Sequence, residues 1–169
     1  MMDRPGILTM RPARPADLAY IHRLEHDARN APFIHPWTRR QHREAMKDRD
    51  ALQLIFESRE SGRRVGFTLL RGLEDREGTV EFKRIVIEAK GAGFGRAAVR
   101  MIQEYAFTRL GARCLWLDVK EFNSRAMGLY ASEGFVKEGT LRERVRRNGR
   151  YYSLIVMSKL LREYRRARR

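Results

Sequence analysis

The chain has 169 residues, 43% hydrophobic and 34% charged, with a formal net charge of +15. That length suits one domain with a buried core, and no apolar run approaches the roughly eighteen residues needed to cross a bilayer. The N-terminus lacks the apolar core of a signal peptide and Cys114 has no second cysteine to pair with, so the expectation is a cytoplasmic protein without disulfides.

Taken in order, the chain reads as a single domain over residues 1–169, with residues 1–6 and 162–169 expected to be flexible. Residues 7–11 predict a short strand, and residues 15–26 a helix that turns Leu18, Ile21 and Leu24 inward. His22 to His26 also spells H-x-x-E-H, a zinc-peptidase pattern; no downstream acidic ligand accompanies it, and the expectation is no metal. An irregular segment with two prolines follows, carrying Phe33, His35 and Trp37, and Thr38 with Gln41 forms a capping box for a second helix. Large residues in such a loop either line a pocket or staple the helix they precede.

Strands are predicted over residues 52–57, 64–71 and 79–87, joined by polar turns into an antiparallel meander. A helix from about Gly93 to Leu110 leads to a buried strand over residues 114–119, which makes one parallel strand-helix-strand unit. Asn123 caps a short helix containing Leu129 and Tyr130, and Asn148-Gly149 marks the turn of a final hairpin. The fold class is therefore α/β: a mixed, mostly antiparallel central sheet with one parallel crossover, flanked by helices.

The stretch with the most chemical content is Lys90-Gly91-Ala92-Gly93-Phe94-Gly95-Arg96, between the third meander strand and the long helix. Glycines let a backbone approach a ligand, and the first amides of a helix have no intrahelical acceptor, so this loop suits a phosphate. A P-loop needs Lys and then Ser or Thr after its last glycine, whereas Arg96-Ala97 stands here. The run from Gly93 to Ala98 does satisfy the dinucleotide pattern G-x-G-x-x-A, with Asp118 near the place of a ribose-binding acid. Too few residues follow to supply the further strand-helix repeats of that fold.

The same stretch resembles the Q/R-x-x-G-x-G/A motif of the GNAT family of N-acetyltransferases, with Lys90 in the first position. Asn123-Ser124-Arg125-Ala126, Leu129-Tyr130 and Glu133-Gly134-Phe135 are similar to that family's N-x-x-A-x-x-L-Y-x-x-x-G-F run at matching separation. The final third is similar to the branch with polyamine and ribosomal-protein acetyltransferases. The resemblance implies acetyl-CoA as donor, with its pyrophosphate over residues 90–96 and its pantetheine arm along Ile85, Val86 and Ile87, whose backbone also polarises the thioester. It implies Tyr130 as the acid that protonates the leaving thiolate, Asn123 near the cofactor, and Phe33, His35 and Trp37 beside an acceptor pocket. An ammonium must lose a proton before it attacks, and Glu81, acting through water, is the expected base, with His35 as the substitute.

The acceptor is then a primary amine of a small molecule or a protein, and dimers common in the family suggest a homodimer. The alternative is a module that holds coenzyme A without turnover, or one that uses its basic surface on RNA. The lesser standing of nucleic acid rests on the C-terminal basic run, where only Tyr164 is available to stack on bases. No membrane partner is expected.

Overall fold

The structure, a computed structural model, describes residues 6–169. The expectation of a flexible start falls almost wholly on residues outside this range. The core is a seven-stranded sheet of β1 (Leu8–Pro12), β2 (Ala51–Ser58), β3 (Arg64–Arg71), β4 (Thr79–Ile87), β5 (Cys114–Lys120), β6 (Val136–Arg147) and β7 (Arg150–Leu160), ordered β1-β2-β3-β4-β5-β7-β6. Only β4 and β5 run parallel. This mixed sheet rules out the doubly wound topology that a dinucleotide fingerprint would need.

The helices are α1 (Leu18–His26), α2 (Arg39–Ala45), α3 (Phe94–Glu104), α4 (Ser124–Ser132) and α5 (Leu161–Ala167). Thr38 caps α2 as its sequence indicates: its hydroxyl accepts from the Gln41 amide at 3.2 Å while the Gln41 side chain accepts from the Thr38 amide at 2.8 Å. The long helix expected to reach Leu110 stays α-helical only to Glu104 and ends in one wider π turn, Tyr105–Arg109, with Leu110 N bonded to the Tyr105 carbonyl. Where a flexible tail was expected, α5 forms instead, because Tyr164 stacks on Phe107 and is buried. Asn148 and Gly149 both have positive φ, 49° and 75°, the geometry of the tight hairpin turn read from the sequence.

Two apolar layers cover the sheet. On one face Val99 and Ile102 of α3 pack with Leu115, Leu117 and Phe82, and on the other Ile21 and Leu24 of α1 pack with Ile55, Phe67 and Val86. Each such fully buried side chain contributes roughly 1.5–3 kcal/mol. A bulge in β4 decides which side chain faces which layer: Leu70 pairs with Phe82 but Leu69 pairs with Arg84, leaving Lys83 as the extra residue. Without it Phe82, Arg84 and Val86 would share one face. With it, Phe82 joins the α3 layer while Arg84 and Val86 join the α1 side. No helix of the described residues is long and apolar enough to cross a membrane.

Candidate active site

β4 and β5 pair only through Thr79–Cys114, Val80–Leu115 and Glu81–Trp116, and then separate. From Phe82 onward the β5-facing edge of β4 therefore lacks a strand partner. The gap opens into a cavity of about 960 Å³, walled by residues 82–87 of β4, Asp118 to Lys120 of β5, the 30–35 loop, the glycine loop and α4. Unpaired strand backbone along one wall suits a ligand with amides of its own, which can bond as an extra strand would.

At one end of this cavity lies the glycine loop. Gly91 and Gly93 have φ of 82° and 80°, a left-handed conformation that favours glycine, and Gly93 is the N-cap of α3. The first amides of α3 are thus free to meet an anion, and Lys90 and Arg125 stand on the cavity wall beside them. Arg96 also lines the cavity, but its guanidinium is held by Glu133 and by Ser132 Oγ. Glu133 binds Arg100 as well, at 2.8 Å, so one carboxylate locks the start of α3 to the end of α4. Gly91, Gly93, Gly95, Ile85, Val86, Ile87 and Asn123 all line the cavity, whereas Ala92 and Phe94 do not. Asn123 keeps its capping duty, with Oδ1 accepting from the Ala126 amide at 3.3 Å. The loop and open edge together fit the phosphate and amide groups of coenzyme A.

Tyr130 lines the cavity and is 8% exposed, its ring edge-on to Phe82 and tilted against Phe135. Its hydroxyl has no hydrogen-bond partner among the described residues. Burial, reinforced by the charge of Asp118, pushes the phenol far above its ordinary range, so it stays protonated well into alkaline pH. A neutral phenol without a protein partner is a proton donor available to whatever enters the cavity.

The loop residues divide. Phe33 and His35 line the cavity, and the Phe33 ring lies 6.0 Å from that of Phe122. Trp37 does not; its ring packs 5.3 Å from His42, four residues past the N-cap Thr38, which is the helix-staple arrangement. Glu81 is set back from the cavity, its carboxylate paired with Lys83 at 3.1 Å, and it is Lys83 that reaches the wall.

Behind that wall lies a buried network that sequence reasoning missed. Glu25 is fully buried and binds the Arg84 guanidinium, His42 Nε2 at 2.9 Å and the Trp37 amide at 2.7 Å. His42 Nδ1 meets Gln53 Oε1 at 2.7 Å, and Arg84 also donates to the His35 carbonyl at 3.0 Å while stacking 4.5 Å over Trp37. These bonds tie the His35 carbonyl to β4 and the Trp37 amide to α1, whose Glu25 is itself bound to Arg84 of β4. They also dissolve the H-x-x-E-H reading: Glu25 points into the core, whereas His22 and His26 stack on one another at 4.0 Å. No cluster of three or more potential metal ligands occurs among the described residues.

A family model described as an acetyltransferase (GNAT) domain matches residues 8–136. The chain is 26% identical over 159 residues to spermidine N(1)-acetyltransferase of Escherichia coli strain K12, covering 88% of this chain and 83% of that protein. It is 38% identical over 88 residues to the Vibrio cholerae enzyme of the same name, where the match spans about half of each chain, 49% and 51%. The solved structure of the Vibrio cholerae spermidine N-acetyltransferase in complex with CoA and spermine superposes with a TM-score of 0.85 at 28% identity, covering 94% of this chain and 98% of that one.

Proposed function

The chain belongs to the GNAT acetyltransferase family and is an N-acetyltransferase, and we propose that it moves the acetyl group of acetyl-CoA directly to a primary amine of a small molecule within the β4–β5 cleft. The observation that carries this reading is the juxtaposition of three features on one cavity: the left-handed glycine loop, the open edge of β4 and the unpartnered phenol of Tyr130. Acetyl-CoA supplies the thioester carbonyl; the chain supplies the rest.

Free amides at the start of α3, with Lys90 and Arg125, bind the pyrophosphate, and the backbone of Ile85 to Ile87 holds the pantetheine arm. A β4 amide aimed at the carbonyl oxygen stabilises charge that develops there as the amine attacks, an effect typically of about 3 kcal/mol. Tyr130 gives its proton to the departing thiolate. Of the two bases read from the sequence, His35 stands on the cavity wall and Glu81 behind Lys83, which favours His35 as the group that takes the amine's proton. The only cysteine, Cys114, lies off the cavity and burial pushes its thiol up, so it is poorly placed to carry an acyl group. A cytoplasmic location belongs to the same reading, as does a homodimer built on β6, an edge strand that exposes Val136 and Leu141.

Direct transfer is tested by initial rates of CoA release as acetyl-CoA and a small primary amine are varied. Intersecting double-reciprocal lines are expected, because both must be bound together. Parallel lines would point to a covalent acyl-enzyme and refute the ternary route.

A further inference from the structure

The part of the cavity wall covered by the 30–35 loop holds a buried cation with no carboxylate to match it. Lys120, at the last position of β5, is 8% exposed and lines the cavity, and its ammonium donates to the Pro32 carbonyl at 3.1 Å. No acid pairs with it among the described residues, and the charge nearest in effect is a second cation, Arg147, which donates to the Ala31 carbonyl at 2.8 Å. Two other cations of the cavity wall differ: Arg84 is neutralised by Glu25 and Lys83 by Glu81. Asp118, the one carboxylate on the cavity wall among the described residues, lies beside Tyr130. An ammonium has three donors, and here one carbonyl takes a single one. Burying a charge in that condition is costly unless a counter-charge arrives.

We infer that Lys120, backed by Arg147, is the subsite for an anionic group carried by the acceptor, so that the substrate is a small amine bearing a carboxylate or a phosphate. The inference rests on the N-acetyltransferase reading above and narrows its acceptor. An anion between Lys120 and the cavity mouth completes the ammonium's hydrogen bonding and leaves the amine on the side of Tyr130. A polyamine would set further ammonium groups against Lys120 and Arg147, where like charges repel in a partly dry site. The Vibrio cholerae neighbour is a spermidine N-acetyltransferase solved in complex with CoA and spermine; the acceptor inferred for this chain carries the opposite charge.

The test measures kcat/KM for acetyl-CoA-dependent CoA release with β-alanine, O-phosphoethanolamine, n-propylamine and spermidine, using the full chain and the variants Lys120→Gln and Lys120→Arg. At least one of the two anionic amines is expected to exceed both propylamine and spermidine by about tenfold, the size of one good charge contact; which of them leads separates carboxylate from phosphate. Lys120→Gln is expected to collapse the ratio of kcat/KM for the anionic amine to that for propylamine, through the KM of the anionic amine, and Lys120→Arg to keep it. Equal loss for every amine in Lys120→Gln would show a role confined to holding the loop and overturn the inference. Turnover of spermidine or propylamine with neither anionic amine would overturn it too, while sustaining the acetyltransferase reading. CoA release with none of the four would overturn both.

Discussion

Replacing Tyr130 by Phe is expected to lower kcat about a hundredfold, in the range that a positioned proton donor contributes, while binding of acetyl-CoA and the melting temperature stay as they are. The two halves of that expectation have separate physical grounds. The hydroxyl makes no hydrogen bond within the protein among the described residues, so its removal breaks nothing that folding built. The ring remains to pack on Phe82 and Phe135. What is lost is a neutral, unpartnered donor on the cavity wall, and a thiolate that departs unprotonated returns readily to the carbonyl. The effect should therefore appear in kcat and not in KM for acetyl-CoA. A variant with full kcat and a depressed melting temperature would reassign Tyr130 to the core.

The second large effect concerns stability. Glu25→Gln leaves the Arg84 guanidinium buried without its carboxylate, and removing one partner of a buried pair costs about 3–5 kcal/mol. For a chain of this size that corresponds to a fall in melting temperature on the order of 10 °C. The loss has a definite pH dependence. Although burial alone would raise the Glu25 carboxyl, hydrogen bonding from His42 and the charge of Arg84 outweigh it and hold the group below its ordinary value of 4.5. A depressed carboxylate stabilises the fold fully above its unfolded value, and that contribution is lost as the pH falls through the folded value. The gap between wild type and Glu25→Gln should accordingly be widest at neutral pH and narrow below about pH 4.5. A gap that persisted unchanged in acid would mean that shape, and not charge, is what Glu25 provides. Because Arg84 and Glu25 also hold the His35 carbonyl and the Trp37 amide, the variant should loosen the Phe33–Trp37 segment as well.

The contrast between these two residues shows what the sequence could tell. Tyr130, the glycine loop and Asn123 sit in short motifs whose spacing is itself the signal, and the capping box at Thr38 and the turn at Asn148-Gly149 are equally local. Glu25, His42, Gln53 and Arg84 come from four different elements, and nothing in their immediate neighbours marks them as partners. Glu25 even carried a misleading local pattern, because the histidines flanking it face the surface. Arg84 was hidden for another reason: the bulge at Lys83 reverses the alternation of β4, so a basic residue that would share a face with Phe82 turns instead to Glu25 on the α1 side. Trp37 was read as either staple or pocket, and only the position of His42 beneath it separates the two. Lys120 lies just past the strand read over residues 114–119, and nothing in its immediate neighbours signals that the 30–35 loop covers it.

The claim on which the account depends is that the β4–β5 cleft binds acetyl-CoA. Its most direct test is a thermal-unfolding titration of the purified protein with acetyl-CoA, run beside NAD, the ligand of the rival glycine pattern. A ligand that binds only the folded state adds about 2.7 kcal/mol of stability at a hundredfold excess over its dissociation constant. The account predicts a melting temperature that climbs with acetyl-CoA and does not respond to NAD. A rise with NAD, or no response to acetyl-CoA, would contradict it.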